Sequence, residues 1–291
     1  IDWEDPTQNL YHVTEEFAVE SADGQHDARP DIVLFVNGIP FAVIECKASD
    51  IPVEQAVERT CRNQQPHYIP QLFAFAQIVM ATNKNEVRYA TTGTPKKFWS
   101  IWKEQDADFL NREMAQLIPD RTPTVQDKDI VSLFTPVRLL ELTKYFVLFD
   151  YNVKKICRYQ QYFAVKEILR TVKQRDEKGN RCGGVIWHTQ GSGKTALAYY
   201  SVRSLTDFFA RKNIVAKFYF IVDRIDLMEQ ATDEFAARGL IVHNAKSREE
   251  LMKDIASRSI TQNNEGKLEI MVVNIQKFKE DKAKVQVDDS Y

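Results

Sequence analysis

Hydrophobic and polar positions near the start of the chain follow the period of a β-strand. They alternate over residues 10–20, and residues 29–47, RPDIVLFVNGIPFAVIECK, form two apolar runs on either side of Asn37 and Gly38. An Asn-Gly pair between two such runs is typical of a tight hairpin turn, because both residues tolerate positive φ. The pattern therefore predicts a strand followed by a β-hairpin.

The next stretch changes from a helical to a strand pattern and back. Pro52 precedes residues 53–64, which are good helix formers, and proline is tolerated at the start of a helix. The apolar runs 72–82 and 87–93 are bounded by turn residues and are predicted to be strands. Residues 100–150 return to a polar, helical pattern, which predicts a helical connector after a small α+β unit.

From Cys157 onward, helical and strand patterns alternate. Predicted helices cover residues 160–172, 196–210, 227–238 and 248–258, and predicted strands cover residues 184–189, 217–223, 240–244 and 268–274. Strands that alternate with helices at this spacing form parallel sheets with crossover helices. The fold class predicted for the whole chain is α/β, with an α+β unit before a parallel-sheet domain.

A length of 291 residues exceeds the size at which one hydrophobic core usually keeps growing, so two domains are expected. The formal net charge is −2, so any contact with nucleic acid has to come from local positive surface. Four cysteines occur without a CxxC pair, which argues against a zinc site or a disulfide framework and favours the reducing cytoplasm. No apolar run approaches the length of a membrane span, about 18 residues, so no membrane partner is expected. The chain begins with Ile1 rather than Met, and we expect sequence upstream of it.

The open end of the predicted hairpin carries charged residues that a buried strand does not need. Asp31 begins the first apolar run, and Glu45 and Lys47 end the second. A metal-dependent nuclease uses carboxylates to hold Mg²⁺ and a lysine to orient the attacking water and neutralise developing charge. These three residues are therefore candidate catalytic residues, with Asp31 and Glu45 as metal ligands.

The register of the hairpin decides whether the two carboxylates share a face. Glu45 and Lys47 are two apart on a strand, so they point to the same side. A strict two-residue turn would pair Asp31 with Ile44 and leave it on the opposite face from Glu45. A three-residue loop over residues 36–38, or an equivalent bulge in one strand, would return both carboxylates to one face. We predict such a bulged hairpin.

Residues 187–195, WHTQGSGKT, lie between an apolar run and a predicted helix, as a phosphate-binding loop does. Glycines let backbone N–H groups turn toward phosphates, Lys194 is placed to neutralise the β and γ oxygens, and Thr195 is placed to ligate Mg²⁺. The first position of the G-x-x-x-x-G-K-[ST] pattern is His188 rather than Gly, so the sequence departs from the motif there. The pattern predicts that ATP and Mg²⁺ bind at this loop.

The loop and its flanking segments, RYQQYFAVKEIL before it and IVDRIDLMEQ after it, resemble the first motor domain of superfamily 2 DNA translocases. The resemblance is strongest to the restriction (R, HsdR) subunit of type I restriction-modification enzymes. In that family a glutamine upstream of the loop contacts the adenine, which the spacing places at Gln161, with Gln160 a nearby alternative. The resemblance implies that the nucleotide-binding residues are Gln161, Gly191, Ser192, Gly193, Lys194 and Thr195.

Asp31, Glu45 and Lys47 also match the PD-(D/E)xK nuclease pattern, and the type I restriction subunit carries such a domain before its motor. The helix after the hairpin resembles the RecB-like variant, whose Q-x-x-x-Y element fits Gln64 and Tyr68. An i, i+4 spacing would place these two side chains on one helical face, where they would brace the lysine or contact a phosphate. The resemblance therefore adds both residues to the candidate catalytic set.

The resemblance implies a PD-(D/E)xK endonuclease domain with a helical connector over residues 1–145. A RecA-like motor domain would follow over residues 146–291 and stop before the acidic Mg²⁺ motif (Walker B). The implied enzyme is a type I site-specific deoxyribonuclease. It would couple Mg²⁺-dependent DNA cleavage to ATP-driven translocation on double-stranded DNA, with methylation and specificity subunits as partners.

Since phosphoryl transfer needs the rest of the motor, this part of the chain is expected to bind ATP weakly and not to turn it over. Two alternatives stay open. One is another nuclease–helicase, from a type III restriction or DNA repair system, and the other is a catalytically silent module that binds DNA or docks a partner.

Overall fold

The computed structural model describes residues 1–24, 27–189, 191–245, 248–256 and 268–275. The chain divides into two compact units, Ile1–Tyr159 and Gln160–Tyr291. Both units combine helices with a β-sheet, so the predicted α/β class is confirmed. No helix within the described ranges is long and apolar enough to cross a lipid bilayer.

A five-stranded sheet forms the centre of the first unit. The strands of this region are β1 (Tyr11–Glu15), β2 (Val19–Glu20), β3 (Asp27–Ala28), β4 (Ile32–Val36), β5 (Ile39–Cys46), β6 (Ile78–Thr82) and β7 (Val87–Ala90). The sheet has the order β1-β4-β5-β6-β7, while β2 and β3 pair with each other. Neighbours in the sheet are antiparallel except β5 and β6, which are parallel. Because a tight turn cannot join parallel strands, the chain crosses from β5 to β6 through helix α1 (Val53–Asn63) and the short helix α2 (Pro70–Phe73).

Helix α1 packs against one face of this sheet. Its residues Val53, Ala56 and Val57 share a buried hydrophobic cluster with Val33 of β4 and Val43 of β5. Burying a valine side chain contributes roughly 1.5–3 kcal/mol, so this cluster fixes the helix over β4 and β5. The charged residues at the ends of these two strands therefore lie beside α1.

The structure differs from the sequence prediction at two places in this unit. Residues 10–20 form two strands instead of one, because Glu16 has a φ of 46° and interrupts the extended backbone after β1. The strand predicted over residues 72–82 begins only at Ile78, because Pro70 starts a short helix. The helix predicted over residues 53–64 is confirmed as α1.

The helical connector is also confirmed. It contains α3 (Ala107–Leu117), α4 (Val125–Phe134) and α5 (Pro136–Phe146), followed by an antiparallel hairpin of β8 (Val147–Asp150) and β9 (Val153–Ile156). Thr124 and Asp127 form a reciprocal capping box that starts α4. The connector and its hairpin belong to the first unit, and the predicted domain limits, 1–145 and 146–291, stay predictions.

The second unit has a parallel sheet with helices between its strands. Its elements are α6 (Tyr159–Val172), α7 (Lys194–Ala210), β10 (Tyr219–Val222), α8 (Ile225–Ala237), β11 (Ile241–Asn244), α9 (Arg248–Ala256) and β12 (Glu269–Asn274). The sheet order is β10-β12-β11, and both pairs are parallel. The helices and strands predicted here are confirmed within the described residues with one exception, and residues 257 and 258 of the last predicted helix lie outside those residues.

The exception is the strand predicted over residues 184–189, which has no strand assignment. Val185 is 94% exposed and Trp187 is 91% exposed, although both are large apolar residues. A strand requires a neighbour for its backbone N–H and C=O groups, and this segment has no ladder partner among the described residues. Its apolar composition alone was therefore insufficient to make it a strand.

Candidate functional site

The hairpin turn between β4 and β5 contains two residues. Val36 pairs with Ile39, and the residues between them, Asn37 and Gly38, have φ values of 51° and 79°. Positive φ at both central positions is the requirement of a type I′ turn, which matches the twist of the strands. The three-residue loop over residues 36–38 that the sequence suggested is therefore wrong.

A bulge in β5 changes the register instead. Phe35 pairs with Pro40, but the preceding residue, Leu34, pairs with Ala42, so Phe41 is an additional residue on β5. One additional residue moves every later position of that strand by one step relative to its partner. The alternative prediction, an equivalent bulge in one strand, is confirmed.

The shifted register brings the two carboxylates to one face. Val33 pairs with Val43, and both contribute to the hydrophobic cluster under α1. Two residues further along each strand, Asp31 lies across from Glu45, on the same side of the sheet as this pair. The side chains predicted as metal ligands therefore meet on the face that α1 covers.

Hydrogen bonds hold this cluster of charged groups in place. Oδ2 of Asp31 accepts a hydrogen bond of 2.7 Å from the backbone N–H of Cys46. Nζ of Lys47 lies 3.1 Å from Oε1 of Glu45 and 3.3 Å from the carbonyl oxygen of Cys46. The backbone N–H of Lys47 donates to the carbonyl oxygen of Thr82 on β6, so the end of β5 stays tied to the sheet. Asp31, Glu45 and Lys47 are thus brought together as predicted from the register argument.

Burial perturbs the carboxyl group of Glu45 strongly. Its side chain is 1% exposed, whereas that of Asp31 is 28% exposed. The pKa of Glu45 is raised to about 7, mainly by burial and also by the negative charge of Asp31, while Lys47 and Arg59 act in the opposite direction. A carboxyl group in this position needs a cation to hold it in its ionised form.

Arg59 of α1 supplies such a cation, and the sequence reasoning missed it. One guanidinium nitrogen, NH1, lies 2.7 Å from Oε1 of Glu45 and 3.7 Å from Oδ1 of Asp31. The other, NH2, donates a hydrogen bond of 2.9 Å to the carbonyl oxygen of Arg29. The signal for Arg59 was its position three residues after Ala56, on the side of α1 that faces the sheet.

Gln64 and Tyr68 are placed differently. The side chain of Gln64 donates to the carbonyl oxygen of Thr60 and accepts from the backbone N–H of Gly93. The ring of Tyr68 lies 5.2 Å from the guanidinium carbon of Arg62. Because α1 ends at Asn63, the i, i+4 spacing of these two residues does not follow a helical face. None of these contacts joins them to the carboxylates, and their catalytic role stays a prediction.

Asp31 and Glu45 offer carboxylate oxygens, the ligand type that Mg²⁺ prefers, on one face of the sheet. Among the described residues no group of three or more His, Cys, Asp or Glu side chains is arranged to hold a metal ion. Mg²⁺, however, commonly binds through one or two carboxylates and completes its shell with waters and phosphate oxygens. A positively charged nitrogen of Arg59 contacts both carboxylates, so this position accommodates a cationic group.

The second candidate site is the loop before α7. Gly191 and Gly193 have φ values of 74° and 80°, in the left-handed region that favours glycine. Lys194 is the first residue of α7, and its Nζ donates a hydrogen bond of 2.9 Å to the carbonyl oxygen of Thr189. The loop thus has the glycine turns and the helix start that a phosphate site requires, with Thr195 in the first turn of the helix. Gln190 lies outside the described residues.

Gln161 of α6 is bound to this loop. Its Nε2 donates to the carbonyl oxygens of Ser192 and Gly193, at 3.3 Å and 3.1 Å, and the residue is buried. A Cβ on Gly193 would come within 2.6 Å of the same nitrogen. Gln160, the alternative, is exposed. Gln161 therefore braces the loop backbone, and its contact with adenine stays a prediction.

Two protein-family models match the chain. Residues 1–98 match the family of the type I restriction enzyme R protein N terminus, and residues 160–290 match the SWI2/SNF2 ATPase family. The two matched regions follow each other in the order in which the carboxylate cluster and the phosphate loop occur.

Curated proteins similar to this chain are named as type I restriction enzyme endonuclease subunits. The type I restriction enzyme HindI endonuclease subunit of Haemophilus influenzae is 28% identical over 290 residues, which cover 96% of this chain and 26% of the relative. The putative type I restriction enzyme MjaVIIP endonuclease subunit of Methanocaldococcus jannaschii is 28% identical over 228 residues, 72% of this chain and 20% of the relative. A type I restriction enzyme endonuclease subunit of Staphylococcus aureus, SauCOLORF180P, is 25% identical over 276 residues, 93% of this chain and 26% of the relative. The chain spans about a quarter or less of the length of these relatives.

Proposed function

We propose that this chain is part of a type I restriction enzyme R protein, because residues 1–98 match the N-terminal family of these proteins and the curated relatives come from type I restriction enzymes. The relatives are named endonuclease subunits, and the chain spans only about a quarter of their length. The activity of the whole protein is therefore part of the proposal. The first unit, on this proposal, is a Mg²⁺-dependent DNA endonuclease domain of the PD-(D/E)xK type.

One observation carries the nuclease assignment. Asp31 and Glu45 face each other across β4 and β5, with one cationic nitrogen between them and Lys47 hydrogen-bonded to Glu45. This supplies, on one face, two oxygen ligands for Mg²⁺ and an ammonium group beside them. The site lies at the ends of two strands, where backbone hydrogen bonds from Cys46 and Lys47 restrict its movement.

Each of these side chains has a proposed task in phosphodiester cleavage. Asp31 and Glu45 would hold Mg²⁺, which supplies Lewis-acid activation of the phosphoryl oxygen and of the attacking water when it is bound. Lys47 would neutralise the charge that develops on the phosphoryl group, since its Nζ lies beside the ligand oxygen of Glu45. Gln64 and Tyr68 are kept as proposed supporting residues that contact DNA rather than the metal.

The second unit, on the same proposal, is part of a RecA-like motor that binds ATP and Mg²⁺ and moves along double-stranded DNA. Support comes from the phosphate loop at the start of α7, with Lys194 as its cation and Thr195 as its hydroxyl ligand. The glycines at positions 191 and 193, together with Ser192, would present the backbone to the phosphates. Methylation and specificity subunits are the proposed partners. The cytoplasm is the proposed location, because its reducing conditions keep cysteines such as these four in the free thiol form.

The test is a reconstitution of the full-length subunit with its methylation and specificity partners. Asp31→Ala should abolish cutting of a plasmid while ATP turnover continues, because it removes a metal ligand and leaves the motor intact. Lys194→Ala should abolish both activities, because cutting depends on translocation. Asp120→Ala, at an exposed position of the connector, is the matched control and should leave both unchanged.

Two results would contradict the proposal. Cutting that persists in Asp31→Ala would favour a domain that only binds DNA or docks a partner. Equal loss of both activities in Asp31→Ala and Lys194→Ala would contradict the division of labour between the two units.

A further inference from the structure

The guanidinium group of Arg59 occupies the space between the two proposed metal ligands. It contacts Glu45 and Asp31 through one nitrogen and the carbonyl oxygen of Arg29 through another. We propose that Arg59 is a positioning residue that acts as a resident counter-cation, which holds Asp31 and Glu45 side by side and has to leave before Mg²⁺ can bind. This inference deepens the proposed nuclease function and rests on it.

Asp31 and Glu45 carry like charges when both are ionised. Two carboxylates that face each other on one side of a sheet repel each other, and the side chain of Glu45 is 1% exposed, so water screens it little. Lys47 contacts Glu45 through its ammonium group, whereas Arg59 contacts both carboxylates. Arg59 is therefore the group whose position accounts for the pairing of the two acids.

The guanidinium group of Arg59 and a bound Mg²⁺ would need the same space. Mg²⁺ binds oxygen at about 2.0–2.1 Å and keeps several waters in its shell. NH1 of Arg59 already lies 2.7 Å from Oε1 of Glu45 and 3.7 Å from Oδ1 of Asp31. If Asp31 and Glu45 held Mg²⁺ together, the ion would lie close to this nitrogen. The guanidinium group and Mg²⁺ would therefore compete for the same two carboxylates.

The guanidinium group of Arg59 has a route by which it can leave the two acids. The side chain of Arg59 is 34% exposed, so its end can turn toward solvent while the backbone stays in α1. Its remaining contact, with the carbonyl oxygen of Arg29, lies in the loop before β4 and does not hold it between the acids. Departure of Arg59 thus requires rotation of one side chain and leaves the helix in place.

The experiment measures Mg²⁺ binding without any cleavage assay. Isothermal titration of the full-length subunit with MgCl₂, in the absence of ATP, compares the wild type with Arg59→Gln, Arg59→Lys and Arg62→Gln. Arg59→Gln should bind Mg²⁺ about tenfold more tightly, which is about 1.4 kcal/mol, because the competing cation is gone. Arg59→Lys should lie between the two, since it keeps the charge but loses the second nitrogen, which holds the guanidinium group to the carbonyl oxygen of Arg29. Arg62→Gln, one turn away on the same helix, should match the wild type.

The outcomes separate this inference from the proposed function. Asp31→Asn should remove Mg²⁺ binding in the wild type and in Arg59→Gln; if it does not, the metal site itself is wrong. If Asp31→Asn removes binding but Arg59→Gln binds Mg²⁺ equally or less tightly than the wild type, the metal site stands and the role of Arg59 is wrong. Should Arg59→Gln fail to give the circular dichroism spectrum of the folded chain, Arg59→Lys decides the same question through the sign of its change in Mg²⁺ affinity.

Discussion

The two glycines of the phosphate loop differ in one respect that a substitution can measure. Both Gly191 and Gly193 have positive φ, but a Cβ on Gly191 would meet no atom within 4 Å, whereas a Cβ on Gly193 would come within 2.6 Å of Nε2 of Gln161. Alanine at either position costs about 1–2 kcal/mol for the left-handed backbone. Alanine at Gly193 also displaces an amide that donates two hydrogen bonds to the loop, worth about 0.5–1.5 kcal/mol each.

The expected difference follows from these magnitudes. Gly191→Ala should weaken ATP binding by the backbone cost alone, roughly fivefold to thirtyfold. Gly193→Ala should weaken it by about 1–3 kcal/mol more, since both hydrogen bonds of Gln161 are lost as well. Binding of a fluorescent ATP analogue to the full-length subunit would measure both, with thermal melting as the check that the variants are folded.

A double mutant isolates the contact itself. Gln161→Ala removes the side chain that the new methyl group would strike, so Gly193→Ala should cost less in that background than in the wild type. Gly191→Ala should cost the same in both backgrounds. Equal losses for the two glycine substitutions, or the same cost of Gly193→Ala with and without Gln161, would refute the view that Gln161 braces this loop.

Two further predictions concern the first unit. Burial, with the charge of Glu104 adding to it, raises the pKa of Asp129 to about 7, so the stability that its protonated form provides is present at acid pH and is lost as the pH rises through about 7. Asp129→Asn should therefore raise the free energy of unfolding at pH 8, by roughly 4 kcal/mol at most, and change it little at pH 4; equal effects at the two pH values in denaturant titrations would contradict this. Gly38→Val places a β-branched residue at a φ of 79° in the type I′ turn and should cost about 1–2 kcal/mol, and a variant with unchanged denaturation midpoint would show that the turn is different.

Much of the fold was accessible from the sequence because the patterns were strong. The Asn37-Gly38 turn, helix α1 and the alternation of helices and strands after Cys157 all have local signals, and the structure confirms them. The strand prediction over residues 184–189 was wrong. An apolar run indicates that a segment prefers burial, but it does not identify the strand that would pair with it. Pairing partners are set by residues far away in the chain, which local patterns do not contain.

The candidate site was also predictable from the sequence only in part. The types of residue at positions 31, 45 and 47 indicated metal chemistry, but only the structure locates the bulge at Phe41 that puts the carboxylates on one face. Arg59 belongs to no motif spacing in the sequence. Its position on the sheet-facing side of α1 is the feature that indicates a contact with the carboxylates. The roles of Gln64 and Tyr68 stay predictions, and the end of α1 at Asn63 explains why a helical spacing did not bring them to the acids.

The bulge at Phe41 constrains how the hairpin of β4 and β5 can vary in length among related sequences. A single inserted or deleted residue between Asp31 and Glu45 would reverse the side of the sheet on which one carboxylate stands, unless a bulge were gained or lost with it. Changes of two residues would preserve the arrangement. The length of the segment between the two acids is therefore constrained in its parity rather than in its absolute value, so alignments that treat this segment as a free gap would misplace the site.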